Sequence, residues 1–146
     1  MLVLDQLTKA WAASALWDPP RSLEPIDGWL HLTPVENRGI AFGLFAEHAL
    51  VLLAGVLVLL VLLALKGWRD FLGASIAVRT LVGLVAVGAV GNLIDRARYG
   101  YVLDFVTLPK LPFFQVFNVA DSAITVGGAL LAIVLLRGER SDHVRG

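Results

Sequence analysis

Two aspartates in apolar surroundings are the residues best suited to chemistry. Asp104 lies in YGYVLDFV, and Asp121, seventeen residues on, lies in FNVADSAITVGGALLAIVLLR. Two carboxyls held about 3 Å apart cannot both ionise cheaply, so they share a proton. The ionised member can activate water while the protonated member polarises a carbonyl, a scheme that hydrolyses peptide bonds without a metal or a covalent intermediate. Other uses compete at this level. Asp121 follows Asn118, an N-cap residue type, and the positive end of a helix stabilises an acid there by about 0.3–1 kcal/mol. Acids inside membranes also mark ion paths, so a small proton-coupled transporter subunit and a noncatalytic membrane scaffold are the alternatives.

The remaining nucleophile and metal schemes have little support. No GxSxG surrounds any of Ser14, Ser22, Ser75, Ser122 or Ser141. His31, His48 and His143 have no short metal-ligand spacing. The absence of cysteine excludes disulfides, thiolate metal sites and cysteine nucleophiles. Neither a metal nor a cofactor is expected. Twelve basic residues against twelve acidic ones give no reason to expect a nucleic acid partner.

The elements that must position the two acids are membrane helices. Of 146 residues, 58% are hydrophobic and 16% charged, against about 45–50% apolar and about 25% charged in soluble domains. The excess falls in four segments, about 1–17, 49–66, 76–95 and 118–136, within a single domain covering 1–146. The loops between them are about 18–48 and 96–117. The second segment carries no charge from Ala49 to Leu65, whereas a transporter would place polar groups at several depths. The first is short for a span and holds Asp5 and Lys9. It lacks the basic start and uninterrupted apolar core of a signal peptide, and an upstream part of it is expected to be missing through a late start assignment. Glycines 83, 88, 91, 127 and 128 allow close helix approach. Four spans put both termini on one side. That side carries six basic residues outside the first segment and the opposite loops five, which favours cytoplasmic termini and outward-facing loops.

In the loops, Pro19 and Pro20 end the first helix. WLHLT alternates like a strand, and ENRG reads as a turn around Asn37 and Gly39. An extended GYVLDFV puts Val102, Asp104 and Val106 on one face. Asp5 and Lys9, four apart, can form an ion pair on one helix face, and Asn92 and Arg96 share a face in the same way. Arg96 could grip a carboxylate through two parallel bonds, with Asp95 facing elsewhere; the favoured reading is that Asn92 and Arg96 hold the loop structure and peptide carbonyls, the alternative an interfacial anchor. Arg98 and Lys110 suit lipid headgroups, and the four tryptophans suit interfacial belts.

Five stretches carry a resemblance: DQLTK at 5–9, NRGIAF at 37–42, GNLIDR at 91–96, VLDF at 102–105 and FNVADS at 117–122. In this order and at compatible spacing, they resemble the signal peptidase II family of bacterial membrane aspartyl peptidases, over residues 3 to 137. The resemblance implies an all-α membrane protein: a four-transmembrane-helix bundle with a small extracytoplasmic β-cradle and a short amphipathic loop segment. It places the catalytic pair on Asp104 and Asp121. Asn37, Gly39, Asn92, Arg96 and Asn118 become substrate-binding or supporting residues, and Asp5 and Lys9 the first-helix motif. The implied substrate is a diacylglyceryl-modified prolipoprotein, cut just before its lipidated cysteine. The implied setting is the bacterial cytoplasmic (inner) membrane, with the site near the extracytoplasmic face, membrane lipid as a partner and a monomeric enzyme.

Overall fold

The structure, a computed structural model, describes residues 1–17, 19–39, 55, 58, 61, 67–111 and 116–143. Most of the second apolar segment, 49–66, lies outside them, as does part of the first loop. The expected amphipathic loop segment is not among the described residues.

Helix α1 (Leu2–Leu16) is inside out by the standards of a soluble protein. It buries Asp5, Lys9, Ala12 and Leu16 and exposes Val3, Leu4, Leu7 and Trp11. In water this would expose apolar surface and bury charge, both unfavourable; a lipid surround removes the first cost, and pairing removes the second. The chain turns at Pro19 and Pro20 into strand β1 (Leu23–Ile26), then β2 (Leu30–Asn37), with Gly28 at φ 64 in the connecting turn. A short helix α2 (Trp68–Gly73) precedes α3 (Ile76–Tyr99).

Ser75 caps α3 by accepting the Val78 N–H at 3.3 Å. The helix continues beyond the expected span into RARY and stops at Gly100, whose φ of 79 is a left-handed C-terminal stop. Its 24 residues, at about 1.5 Å each, exceed the hydrocarbon thickness of about 30 Å. Among the described residues it is the one helix long and apolar enough to cross a membrane. Helix α4 (Val119–His143) has a shorter apolar part, Val119–Val134, which exposes Val126, Leu130 and Ile133 along one stripe.

Strand β3 (Val102–Thr107) follows α3 directly and pairs antiparallel with β2, giving the sheet order β1-β2-β3. Strands form at both stretches expected to be extended. Val35 opposes Asp104 and Asn37 opposes Val102, with a register irregularity between Leu32 and Val35. Pro34 sits in that interval and has no N–H to give the ladder. Leu103 and Phe105 of β3 pack with Ala12 and Leu16 of α1 in one apolar cluster, and Trp11 meets Phe105 edge to face at 6.4 Å. Helices α3 and α4 approach closely: a Cβ on Gly88 would lie 2.6 Å from the Ala120 carbonyl oxygen.

Candidate active site

The sequence leading into α4 is built around Asn118, which is completely buried. Phe117 exchanges backbone hydrogen bonds with Val106, each 2.9 Å, and this brings Asn118 alongside β3. The Asn118 side-chain oxygen accepts the Asp121 N–H at 2.9 Å, and the Asp121 carboxylate accepts the Asn118 N–H at 3.2 Å. This is a reciprocal capping box. The same Asn118 donates its side-chain amide to Asp104 Oδ1 at 2.6 Å. One residue therefore holds both aspartates.

Each carboxylate has a second amide partner. Asn37, at the end of β2, donates to Asp104 Oδ2 at 2.8 Å. Asn92 of α3 donates to Asp121 Oδ1 at 2.7 Å. Asp104 is 1% exposed. Its carboxyl is pushed up to about 7, first by burial and then by the nearby Asp121 charge, while the Asn37 and Asn118 amides pull the other way. An acid so placed can hold a proton near neutral pH, as one member of a water-activating pair must.

Asn37 also builds the turn expected at ENRG, since its side-chain oxygen accepts the Gly39 N–H at 3.0 Å. Of the two readings of Arg96, a grip on a carboxylate and support of the loop structure, its bond matches the second. Its guanidinium donates to the Gly39 carbonyl rather than forking onto a carboxylate. The two aspartates already accept from asparagine amides, and the Gly39 turn brings its carbonyl over the last turns of α3.

Behind Asn92 lies a buried charge cluster. Lys9 donates to Asn92 Oδ1 at 3.0 Å and pairs with Asp5 at 3.0 Å and Asp95 at 2.9 Å. Asp5 accepts the Ala120 N–H at 2.9 Å, tying α1 to the first turn of α4. All nine residues singled out in the sequence thus belong to one connected network. Two participants were missed. Asp95, expected to face elsewhere, is 1% exposed and accepts from Lys9, from Gln6 at 3.1 Å and from the Leu103 N–H at 3.3 Å. Gln6 also bonds Asp5 at 3.1 Å. A charge count held the signal for Asp95, because a buried acid at helix depth needs a cation, and Lys9 is the one on the facing helix.

A family model described as "Signal peptidase (SPase) II" matches residues 1–137. The lipoprotein signal peptidase of Syntrophomonas wolfei is 43% identical, over 98% of this chain and 93% of the relative. That of Caulobacter vibrioides is also 43% identical, over 90% and 79%. Two bacterial membrane enzymes solved by the in meso method share the fold. One has a TM-score of 0.77 at 27% identity, covering 93% of this chain and 82% of the other; the second has 0.73 at 30%, covering 92% and 86%.

Proposed function

Because the chain belongs to the signal peptidase II family, we propose that it removes signal peptides from diacylglyceryl-modified prolipoproteins, cutting before the lipidated cysteine, with Asp104 and Asp121 as the catalytic pair. The observation that carries this reading is the seat of both carboxylates on Asn118, one through its side-chain amide and one through its backbone N–H. In this scheme the ionised aspartate takes a proton from water as the water oxygen attacks the scissile carbonyl. The protonated aspartate hydrogen-bonds the carbonyl oxygen while it gains charge. The C–N bond then breaks, and the departing amine takes up a proton from the pair.

Asn37 and Asn92 orient the acids through their amides, and Arg96 braces the Gly39 turn beside the peptide path. The Asp5–Lys9–Asp95 cluster fixes Asn92 from behind. Four spans carry the site, the sheet forms a cradle over it, and both termini lie in the cytoplasm. Clustering of the polar groups at the sheet end of α3 and α4 supports a position near the extracytoplasmic face, where a lipid-anchored peptide is within reach. The enzyme acts as a monomer.

The test is cleavage of a diacylglyceryl-modified prolipoprotein in membranes by the parent chain, Asp104→Asn and Asp121→Asn. Both variants should insert normally and lose cleavage. Continued cutting by either variant would remove that aspartate from the mechanism.

A further inference from the structure

Behind β3, on the face opposite Asp104, a cavity of about 270 Å³ lies between α1 and the end of α3. Alternation along the strand assigns Tyr101 and Leu103 to this side and Asp104 to the other. The cavity is therefore separate from the aspartate pair. Along α1 its wall is Ala10 and Ala13, both exposed, and these small side chains leave a trough open to the surroundings.

The rim has a different chemistry. Arg98, in the last turn of α3, is exposed and has no ion pair among the described residues. Trp17 stacks on Tyr101 with ring centres 6.1 Å apart and planes 9° from parallel, and Tyr99 lies 6.0 Å from Tyr101. A cation among indole and phenol rings at the end of a membrane helix marks the headgroup level of a bilayer. At the floor, Lys9 is already held by Asp5, Asp95 and Asn92, so no free charge faces the trough.

The geometry points to a bound glycerophospholipid, with its phosphate against Arg98 and one acyl chain lying along Ala10 and Ala13. Charge complementarity selects the headgroup, since an unpaired guanidinium is a strong partner for a phosphate oxygen. Size selects the chain: about 270 Å³ admits part of a single acyl chain but not a helix about 10 Å across with its side chains. A free phosphate would meet Arg98 but make no use of the apolar trough. The inference requires only that α1 and α3 lie in a membrane and does not depend on the peptidase reading. The bound lipid would press on Tyr101 and Leu103, which lead into the strand position of Asp104, and so stiffen the strand from behind.

The full chain, purified in detergent and titrated with phosphatidylglycerol, would be examined by native mass spectrometry. One retained lipid adduct is expected. Arg98→Gln should weaken it by about tenfold, the scale of one lost charged hydrogen bond. Ala13→Leu, which fills the trough but leaves Arg98 intact, should abolish it; Ala10→Val probes the same wall if Ala13→Leu does not insert. Inorganic phosphate alone should not raise the melting temperature. Equal retention by the parent and these variants would overturn the assignment. So would loss on Arg98→Gln with no loss on the wall variants, or stabilisation by phosphate alone equal to that by the lipid.

Discussion

Asn118 and Asp121 bond each other in both directions, side chain to backbone at 2.9 Å and backbone to side chain at 3.2 Å. The exchange starts helix α4 and at the same time locks the Asp121 carboxylate in one rotamer. Helix capping and the positioning of the Asp121 carboxylate are therefore one structural act, and the two sequence interpretations of Asp121 are compatible.

Substitutions at Asn118 separate the two roles. Asn118→Ala should cost about 1 kcal/mol through the lost cap and lower cleavage by at least about tenfold through the lost amide on Asp104. Asn118→Ser restores the cap but has no amide to offer, so the melting temperature should recover while cleavage stays low. Thermal unfolding in detergent and a prolipoprotein assay on the same preparations read both quantities. Equal recovery of both would show that Asn118 acts only through the cap.

The raised Asp104 carboxyl makes a prediction in pH. Unfolded, it ionises near 3.8; folded, near 7. Between these values the folded protein keeps a proton that the unfolded chain has released, so stability falls as pH rises across the window and levels above about 7. The melting temperature of the parent should drop between about pH 5 and about pH 8 more than that of Asp104→Asn, which has no such proton to lose. Cleavage by the parent should decline on the alkaline side of about 7 as the shared proton leaves. Parallel melting curves for parent and variant would contradict the assignment.

Gly91 allows the first helix to approach the third. A Cβ there would lie 2.6 Å from Asp5 Oδ2 and 3.4 Å from the Ala120 Cβ. Gly91→Ala should therefore destabilise by about 1–3 kcal/mol, the usual cost of overpacking, and displace Asp5 from the Ala120 N–H. Gly83→Ala, where a Cβ meets nothing within 4 Å, should leave the melting temperature within experimental error. A similar loss in both would refute the steric account.

Removing the buried cation should be more costly. Lys9→Met leaves Asp5 and Asp95 buried near each other without the cation that pairs with both, a loss of about 3–5 kcal/mol. Neutralising one acid as well, in Lys9→Met with Asp95→Asn, should recover part of it. A double variant no better than the single, measured by thermal unfolding, would mean that the lysine contributes packing rather than charge.

Much of this site was legible because its chemistry is carried by local patterns. VLDF and FNVADS announced the two acids, the i, i+4 spacing announced the Asp5–Lys9 pair, and strand alternation in GYVLDFV announced the face of Asp104. The parts that were not legible depend on which elements are neighbours. Asp95 lies three residues after Asn92, on an adjoining flank of α3, and only the placement of α1 against that flank reveals its partner. Arg96 could be read onto a carboxylate or onto the loop structure; that its partner is the Gly39 carbonyl depends on where the turn after β2 sits, which no local pattern encodes. The register irregularity around Pro34 is likewise a property of the paired strands.

The bond from Asp5 to Ala120 spans 115 positions in sequence, and it bears on when the molecule becomes active. The first helix enters the membrane with an ion pair whose other partners have not yet been synthesised, and those arrive only with α3 and the opening turn of α4. If Asp104 and Asp121 are the catalytic pair, a ribosome that has not yet produced Asn118 and Asp121 has made a membrane protein without a cutting centre. Any precursor sharing the membrane with such a nascent chain would then be safe from it, and competence would come in a single step, with the last helix.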